Sequence, residues 1–414
     1  MEVLVSILAC RCCGAPLSET FANCGLTPMA NAFIQPSRAD RMEPFYPLHA
    51  YVCGQCYLVQ LASFESPGEI FSDYLYFSSF STSWLKHAED YAAKLSQRLS
   101  LGAHSSVVEV ASNDGYLLQY FAQRGVKVLG IDPAANVAAV AVEKGIPTEV
   151  AFFGAETAAR LRSQGVSPDL MAANNVLAHV PDLHDFVEGF RVLLAPSGVA
   201  TFEFPHLLQL MRHNQFDTIY HEHFSYISLH LAERIFGQHG LVVFDVEELP
   251  THGGSLRIYV RHAANTALAE TQAVGALRQV EVEAGLLDIA TYRRFAEGVV
   301  ETKCALLEFL VEARRSHKRV VAYGAPAKGN TLLNYCGVGP ELIDFTVDRS
   351  PHKQGLLLPG TRIPIRAPES IAAAKPDYLL ILPWNLREEI ASEMAGVREW
   401  GGKFVVPIPT VEVF

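Results

Sequence analysis

The sequence predicts an α/β protein in which a small cysteine-rich N-terminal domain precedes two doubly wound, Rossmann-like domains. Three observations predict it. Six of the eight cysteines fall in the first 56 residues, four of them as two C-x-x-C pairs. A unit of strand, acidic residue, small-residue turn and helix starts at Ser106 and repeats near Val126. The same grammar begins again at Arg319. The expected boundaries are 1–70 for the cysteine-rich domain, 71–265 for the central domain, 266–318 for linking helices and 319–414 for the C-terminal domain.

A chain of 414 residues, half of them hydrophobic, is long enough for two or three packed cores. Its formal net charge of −11 argues against a broad nucleic-acid footprint or a polybasic membrane patch. No run is long and apolar enough to span a bilayer. Ile7-Leu8-Ala9-Cys10 resembles a lipoprotein cleavage box, but Glu2 and the missing Lys or Arg before it argue against a signal peptide. A cytoplasmic monomer acting on a small molecule is expected.

In a cytoplasmic chain, clustered cysteines point to metal rather than disulfides. Two-residue spacing lets both sulfurs of a pair face one ion, and Gly14 eases the turn after the first pair. Cys10, Cys13, Cys53 and Cys56 are therefore expected to form a closed structural zinc site. Cys12 is close enough to leave the register open, and Cys24 is left over. Between the pairs, Pro28, Asn31 and Pro36 suggest loop-rich chain stabilised mainly by the metal. Residues 69–84 mix aromatics with hydroxyls, as an edge strand or a ligand-facing segment would.

In the central domain, an apolar strand from Ser106 ends at Glu109, followed by Ser112-Asn113-Asp114-Gly115. A second strand ends at Asp132-Pro133, about twenty residues on, a spacing at which a carboxylate reaches ribose hydroxyls. A third ends at Asn174-Asn175 and leads to His179. Neither G-x-G-x-x-G nor G-x-x-x-x-G-K-[ST] is present, which disfavours NAD and P-loop nucleotides. The pattern fits S-adenosylmethionine better, with Glu109, Ser112, Asn113, Asp114, Gly115, Asp132, Pro133, Asn174 and Asn175 around it.

The stretch Phe216–Tyr226 packs two imidazoles, two carboxylates and two phenols into eleven residues with no helical or strand period. Such groups transfer protons near neutral pH, bind metal, or simply form a polar loop. His221 and His223 lack a third ligand at convincing spacing, and H-E-x-x-H is absent. His252-Gly253-Gly254-Ser255 before a strand allows close backbone approach or a β-bulge. In the last domain Ala327 to Thr331, with Lys328, form a candidate anion cradle at a helix start.

Taken in order, the cysteine pairs, Ser112–Gly115, Asn174-Asn175 with His179-Val180-Pro181, Phe216 to Phe224, His252–Ser255 and Tyr323-Gly324-Ala325 with Ala327-Lys328-Gly329 resemble the three-domain sugar C-methyltransferases of bacterial deoxysugar pathways. They are similar in particular to nucleotide-sugar C-3′-methyltransferases of the tetronitrose type. The resemblance covers nearly the whole chain. It departs at Ala111, where the family often has Gly, and at Asp132, where relatives often have Glu.

The resemblance implies a zinc-containing class I methyltransferase that uses S-adenosylmethionine to methylate C-3 of a nucleotide-linked 4-keto-deoxysugar, with TDP as the expected nucleotide. That chemistry needs a base for the proton beside the ketone, donors for the enolate oxygen, and a methyl group held in line at roughly 3–3.5 Å. Carried over, His223 is the base, with Tyr220 and Glu222 setting it or the sugar. His179 and Tyr76 line the sugar pocket. Lys328, Ala327, Gly329, Tyr323 and His252 contact the substrate. From the residues alone, His179 could instead satisfy backbone groups, and Glu222 could be a hydrogen-bond partner rather than an acid. The competing functions are O- or N-methylation of a small metabolite, and a zinc-containing interaction protein with a degenerate methyltransferase core.

Overall fold

A computed structural model describes residues 8–62 and 77–414. Tyr76 and most of the aromatic-hydroxyl segment lie outside the described residues. After that segment the chain makes a short 3-10 turn, then a helix at Thr82–Arg98 capped by the Ser81 hydroxyl, which accepts from Trp84 N at 3.3 Å.

The N-terminal domain is more ordered than its composition suggests. Strands β1 (Glu19–Thr27), β2 (Tyr46–Val52) and β3 (Val59–Leu61) pair antiparallel around the cysteine pairs. The loop-rich expectation is corrected for a physical reason. Phe21, Leu48, Ala50 and Val52 are buried in one core with Tyr292, Phe295 and Val299 of the long helix Ile289–Arg315. The Phe21 and Phe295 rings stack with centroids 4.4 Å apart. Apolar burial against another part of the chain thus supports this domain together with any metal.

The central sheet begins with β4 (Ser106–Val110), β5 (Lys127–Asp132), β6 (Thr148–Val150), β7 (Leu170–Asn174) and β8 (Val199–Pro205). Strand β9 (Ser225–Tyr226) then leaves it and pairs with β3, adding a fourth strand to the N-terminal sheet. These residues fall within the stretch expected to belong to the central domain. Strands β10 (Leu241–Leu249) and β11 (Ser255–His262) complete seven strands in the order β10-β11-β8-β7-β4-β5-β6, with β10 and β11 antiparallel. Strand order reverses at β4, which opens a ligand crevice at the carboxyl ends of β4 and β7.

Two helices, Gln272–Glu283 and Ile289–Arg315, follow β11 and lead to the last sheet. The last sheet holds β12 (Val320–Tyr323), β13 (Thr346–Val347), β14 (Ile365–Arg366), β15 (Tyr378–Ile381), β16 (Lys403–Val406) and β17 (Glu412–Val413), in the order β14-β13-β12-β15-β16-β17. β17 turns back antiparallel onto β16 and forms the edge. Both Rossmann-like domains use the same clamp: Asp132 accepts from Asn113 N and Ala134 N, and Asp348 accepts from Ala325 N and Ser350 N, all at 2.8–2.9 Å.

Candidate active site

The cysteine pairs meet as predicted. The sulfurs of Cys10, Cys13, Cys53 and Cys56 all lie within 4.8 Å of one another, with Cys10–Cys56 and Cys13–Cys53 at 3.5 Å. A zinc ion with bonds of about 2.3 Å has sulfur–sulfur edges of about 3.8 Å, so four thiolates here fit a tetrahedral site. Gly14 adopts φ +72° and donates to Cys10 O at 2.8 Å, closing the first turn. Cys12 stands outside the tetrad, its thiol against Cys56, and its carbonyl accepts from His184 Nε2 at 2.7 Å. Gln60 Nε2 donates to Cys10 Sγ at 3.2 Å.

At the end of β4 and β7, the Glu109 carboxyl and the Asn174 side chain share the Tyr116 hydroxyl, while Ser112 Oγ, Asp114 Oδ1 and Asn175 Oδ1 are buried without well-aligned partners. Native interiors rarely leave such groups unpaired. Their concentration at the switch point fits a polar ligand in that crevice. Burial holds the Glu109 carboxyl well above its ordinary range, and Asp132 and Asp114 push it in the same direction. Ser112 packs so closely on Gly130 that a Cβ there would meet its hydroxyl at 2.3 Å.

Other expected cofactor residues have structural partners. Asn113 Oδ1 accepts from Ser78 N at 2.9 Å, and Asp114 Oδ2 pairs with Lys144 Nζ at 3.0 Å. Asp132 is raised by burial, and each of its oxygens already accepts one backbone N–H. Pro133 sits half-buried between the two turns that this carboxylate clamps. Ala111, Asn113, Gly115 and Asn175 all have positive φ. At Ala111 the value is +55°, so the Gly-to-Ala departure lies at a left-handed position where a Cβ costs about 1–2 kcal/mol.

The Phe216–Tyr226 stretch separates its two histidines. His221 turns toward β2, with Nε2 3.3 Å from Pro47 O and its ring against Tyr46. His223 turns inward. Its Nδ1 donates to Thr218 O at 2.9 Å, its ring lies 4.7 Å from that of His179, and Tyr220 packs on it at 3.9 Å. His179 Nδ1 donates to the Glu222 carbonyl at 2.9 Å. In the neutral tautomers these bonds require, Nε2 is the acceptor nitrogen of each ring. Burial, with His179 next in weight, holds His223 well below the usual imidazole range, and burial holds His179 at about 4. The Glu222 carboxylate is held by Asn31 rather than by a histidine. It accepts from Asn31 Nδ2 at 2.8 Å, and burial raises its pKa.

The His252 loop and the C-terminal domain lie against the histidine stretch. His252 Nε2 lies 3.3 Å from Asn175 Nδ2, and its ring faces Trp84. The glycines beside it make room for protein: a Cβ on Gly253 would strike Trp384, and one on Gly254 would strike Gln209. Lys328 Nζ donates to Asn385 Oδ1 at 2.7 Å and lies 4.5 Å above the Trp384 ring. The Trp384 indole donates to the buried Asp217 carboxylate at 2.7 Å. Burial raises Asp217 to about 6 and lowers Lys328, while each opposes the shift of the other. His252 is exposed and Lys328 half-buried.

In the helix Ala327–Cys336, Thr331 Oγ1 donates to Ile219 O at 2.9 Å and Asn330 Nδ2 to Ala30 O at 2.6 Å. The candidate cradle is thereby docked on the histidine stretch. Ala327 opens the helix, and Gly329 packs closely on Leu382, where a Cβ would lie 3.1 Å from its side chain. Tyr323 is engaged elsewhere, its hydroxyl donating to Glu393 at 3.2 Å. Asp217, Trp384, Asn385, Asn31 and Arg11 also belong to this region. Asp217 and Arg11 lay inside motifs that the sequence singled out, but neither was expected to act there.

Family models match the chain in three consecutive parts: a zinc binding domain at residues 10–71, a methyltransferase domain at 84–246, and a C-methyltransferase C-terminal domain at 250–409. The C-methyltransferase NovU of Streptomyces niveus is 37% identical over 412 residues, covering 100% of this chain and 98% of that protein. Among solved structures, the magnesium protoporphyrin IX methyltransferase of Synechocystis PCC 6803 with bound SAM is 16% identical over 42% of this chain and 78% of its own, with a TM-score of 0.33. The CcbJ methyltransferase of Streptomyces caelestis is 14% identical over 42% and 89%, with a TM-score of 0.34.

Proposed function

The chain belongs to the zinc-containing, S-adenosylmethionine-dependent C-methyltransferases, and from that premise we propose that it methylates C-3 of a nucleotide-linked 4-keto-deoxysugar, with TDP as the nucleotide, in the cytoplasm. The observation that carries this reading is the pairing of His223 and His179. Two neutral imidazoles, His223 buried and His179 half-buried, stand 4.7 Å apart with their Nδ1 atoms anchored to backbone carbonyls.

Glu109, Ser112 to Gly115, Asp132, Pro133, Asn174 and Asn175 would hold S-adenosylmethionine, with Asp132 on its ribose. When bound, that group supplies an electrophilic methyl to a carbon nucleophile and leaves as S-adenosylhomocysteine. The chain's own residues must create the nucleophile. His223 Nε2 accepts the proton beside the ketone, while its Nδ1–H stays on Thr218 O. Because burial disfavours the charged ring, the imidazole remains ready to accept at neutral pH. The C–H electron pair becomes the enolate, and Tyr220 on the site wall donates to the oxygen that gains charge, while His179, whose Nε2 carries no proton, lines the sugar pocket. Glu222 sets His179 through its carbonyl. Lys328, with the amides of Ala327 and Gly329, faces the diphosphate, and His252 lines the sugar pocket.

The test is incubation with S-adenosylmethionine and a panel of TDP- and GDP-linked 4-keto-sugars, with products analysed by mass and NMR. A methyl group on C-3 is the expected result. A methyl on oxygen or nitrogen would replace the enolate reading with the simpler transfer.

A further inference from the structure

The zinc knuckle reaches the catalytic stretch through one side chain. Arg11 lies inside the Cys10–Cys13 knuckle, and its guanidinium crosses to the end of β3 and the residue after His223. Nη1 donates to Phe224 O at 2.5 Å and lies 3.3 Å from Ser225 Oγ, and Nη2 donates to Leu61 O at 2.6 Å. The same guanidinium lies 5.5 Å from the Phe224 ring centroid. Gln60 binds the knuckle from the other side: its Oε1 accepts from Arg11 N at 3.0 Å and its Nε2 donates to Cys10 Sγ. Strand pairing completes the tie, with Leu61 N donating to Phe224 O at 3.0 Å and Gln60 opposite Ser225.

A knuckle that only stabilised its own domain would have no need of a half-buried cation aimed at a carbonyl 213 residues away. A guanidinium holds its donors in a rigid fork, so it fixes direction as well as distance. Phe224 O is one peptide from His223, whose ring must point at its substrate within narrow limits. We infer that Arg11 is a positioning residue for methyl transfer: it carries the geometry of the zinc knuckle to the His223 stretch, so the metal site is part of the active-site scaffold. This inference rests on the methyl-transfer reading of the site. One of its readouts does not.

The experiment uses the full-length, zinc-loaded protein with Arg11→Ala and the conservative Arg11→Lys. Zinc content, S-adenosylmethionine affinity, hydrogen exchange in the peptide spanning residues 216–226, and kcat and KM are measured for each. In Arg11→Ala, one zinc per chain and unchanged S-adenosylmethionine affinity should accompany at least tenfold faster exchange in that peptide. Its kcat should fall at least tenfold with little change in KM. Arg11→Lys should recover part of both, since an ammonium can reach one carbonyl but not hold the fork. Exchange and kcat within twofold of wild type would overturn the proposal, as would loss of zinc from Arg11→Ala, which would confine Arg11 to the metal site. If the wild-type protein methylates no keto-sugar, the proposed function fails, and the exchange measurement alone decides the role of Arg11.

Discussion

The Thr218 carbonyl accepts the Nδ1 proton of His223 at 2.9 Å, which makes Nε2 the basic nitrogen of a ring that burial keeps neutral. A base must be unprotonated to work, and this one is held well below the ordinary value of about 6.5. The acid limb of kcat/KM against pH should therefore fall below pH 6.5. A limb at or above that value would contradict the assignment. His223→Asn keeps a polar group of similar size without the base and should lower kcat by about 10²–10⁴-fold with the fold intact.

Removing one thiolate from the tetrad leaves an open, weaker site. Cys53→Ser should reduce bound zinc from one per chain to near zero, measured by elemental analysis, and lower the melting temperature. The protein should not unfold entirely, because β1 and β2 bury their apolar face against the long helix whether or not metal is bound. Complete unfolding of the N-terminal sheet on chelation would show that this packing is insufficient alone.

Local spacing made much of this molecule legible. Two C-x-x-C pairs specify a tetrad because neighbouring sulfurs need only one turn to converge. Strand-end acids such as Glu109 and Asp132 mark a crevice because a parallel sheet aligns its carboxyl ends. The N-terminal sheet was not legible, since β1 mixes Glu19, Thr20 and Asn23 with its apolar residues and buries Phe21 against a helix some 270 residues later. The supports of the site were hidden for the same reason. Asn31 on Glu222, Arg11 on Phe224 and Trp384 on Asp217 span 191, 213 and 167 residues, and no periodicity announces such pairs.

The histidine cluster also makes the fold sensitive to acid. His179, His223 and His252 are all held below the imidazole range, chiefly by burial. An unfolded chain binds their protons near pH 6.5, whereas the folded protein resists them until lower pH. Stability is therefore fully present above pH 6.5 and is lost as pH falls through about 4, the value for His179. Melting temperature should decline across that window, and His179→Asn should flatten the decline. Equal slopes for the two proteins would remove His179 from the cause.

Lys328 tests whether the C-terminal domain holds the substrate. Its ammonium is fixed by Asn385 and the Trp384 ring rather than by a contacting carboxylate, and among the described residues no ion pair within 4.0 Å engages it. A cation held this way can meet an incoming phosphate without first breaking a salt bridge. Lys328→Ala should raise KM for the nucleotide-sugar about tenfold and weaken TDP binding in parallel by calorimetry. Unchanged TDP affinity would place the diphosphate elsewhere.

Trp384 joins that cation to the histidine stretch. Its indole N–H supplies the 2.7 Å bond to Asp217 Oδ2, while Asp217 Oδ1 has no well-aligned partner. Trp384→Phe keeps an aromatic face under Lys328 but removes the donor, leaving a buried carboxyl without that bond. The cost should be about 1–3 kcal/mol, read from denaturant unfolding. Asp217 should respond by moving further above its value of about 6, because a lost hydrogen bond no longer favours the charged form. The variant's deficit should then shrink as pH falls through that range, since a protonated Asp217 needs the indole less. Combining it with Asp217→Asn, which removes the charge at the outset, should cost less than the sum of the two single changes. Strict additivity would mean that the two side chains act independently despite their contact.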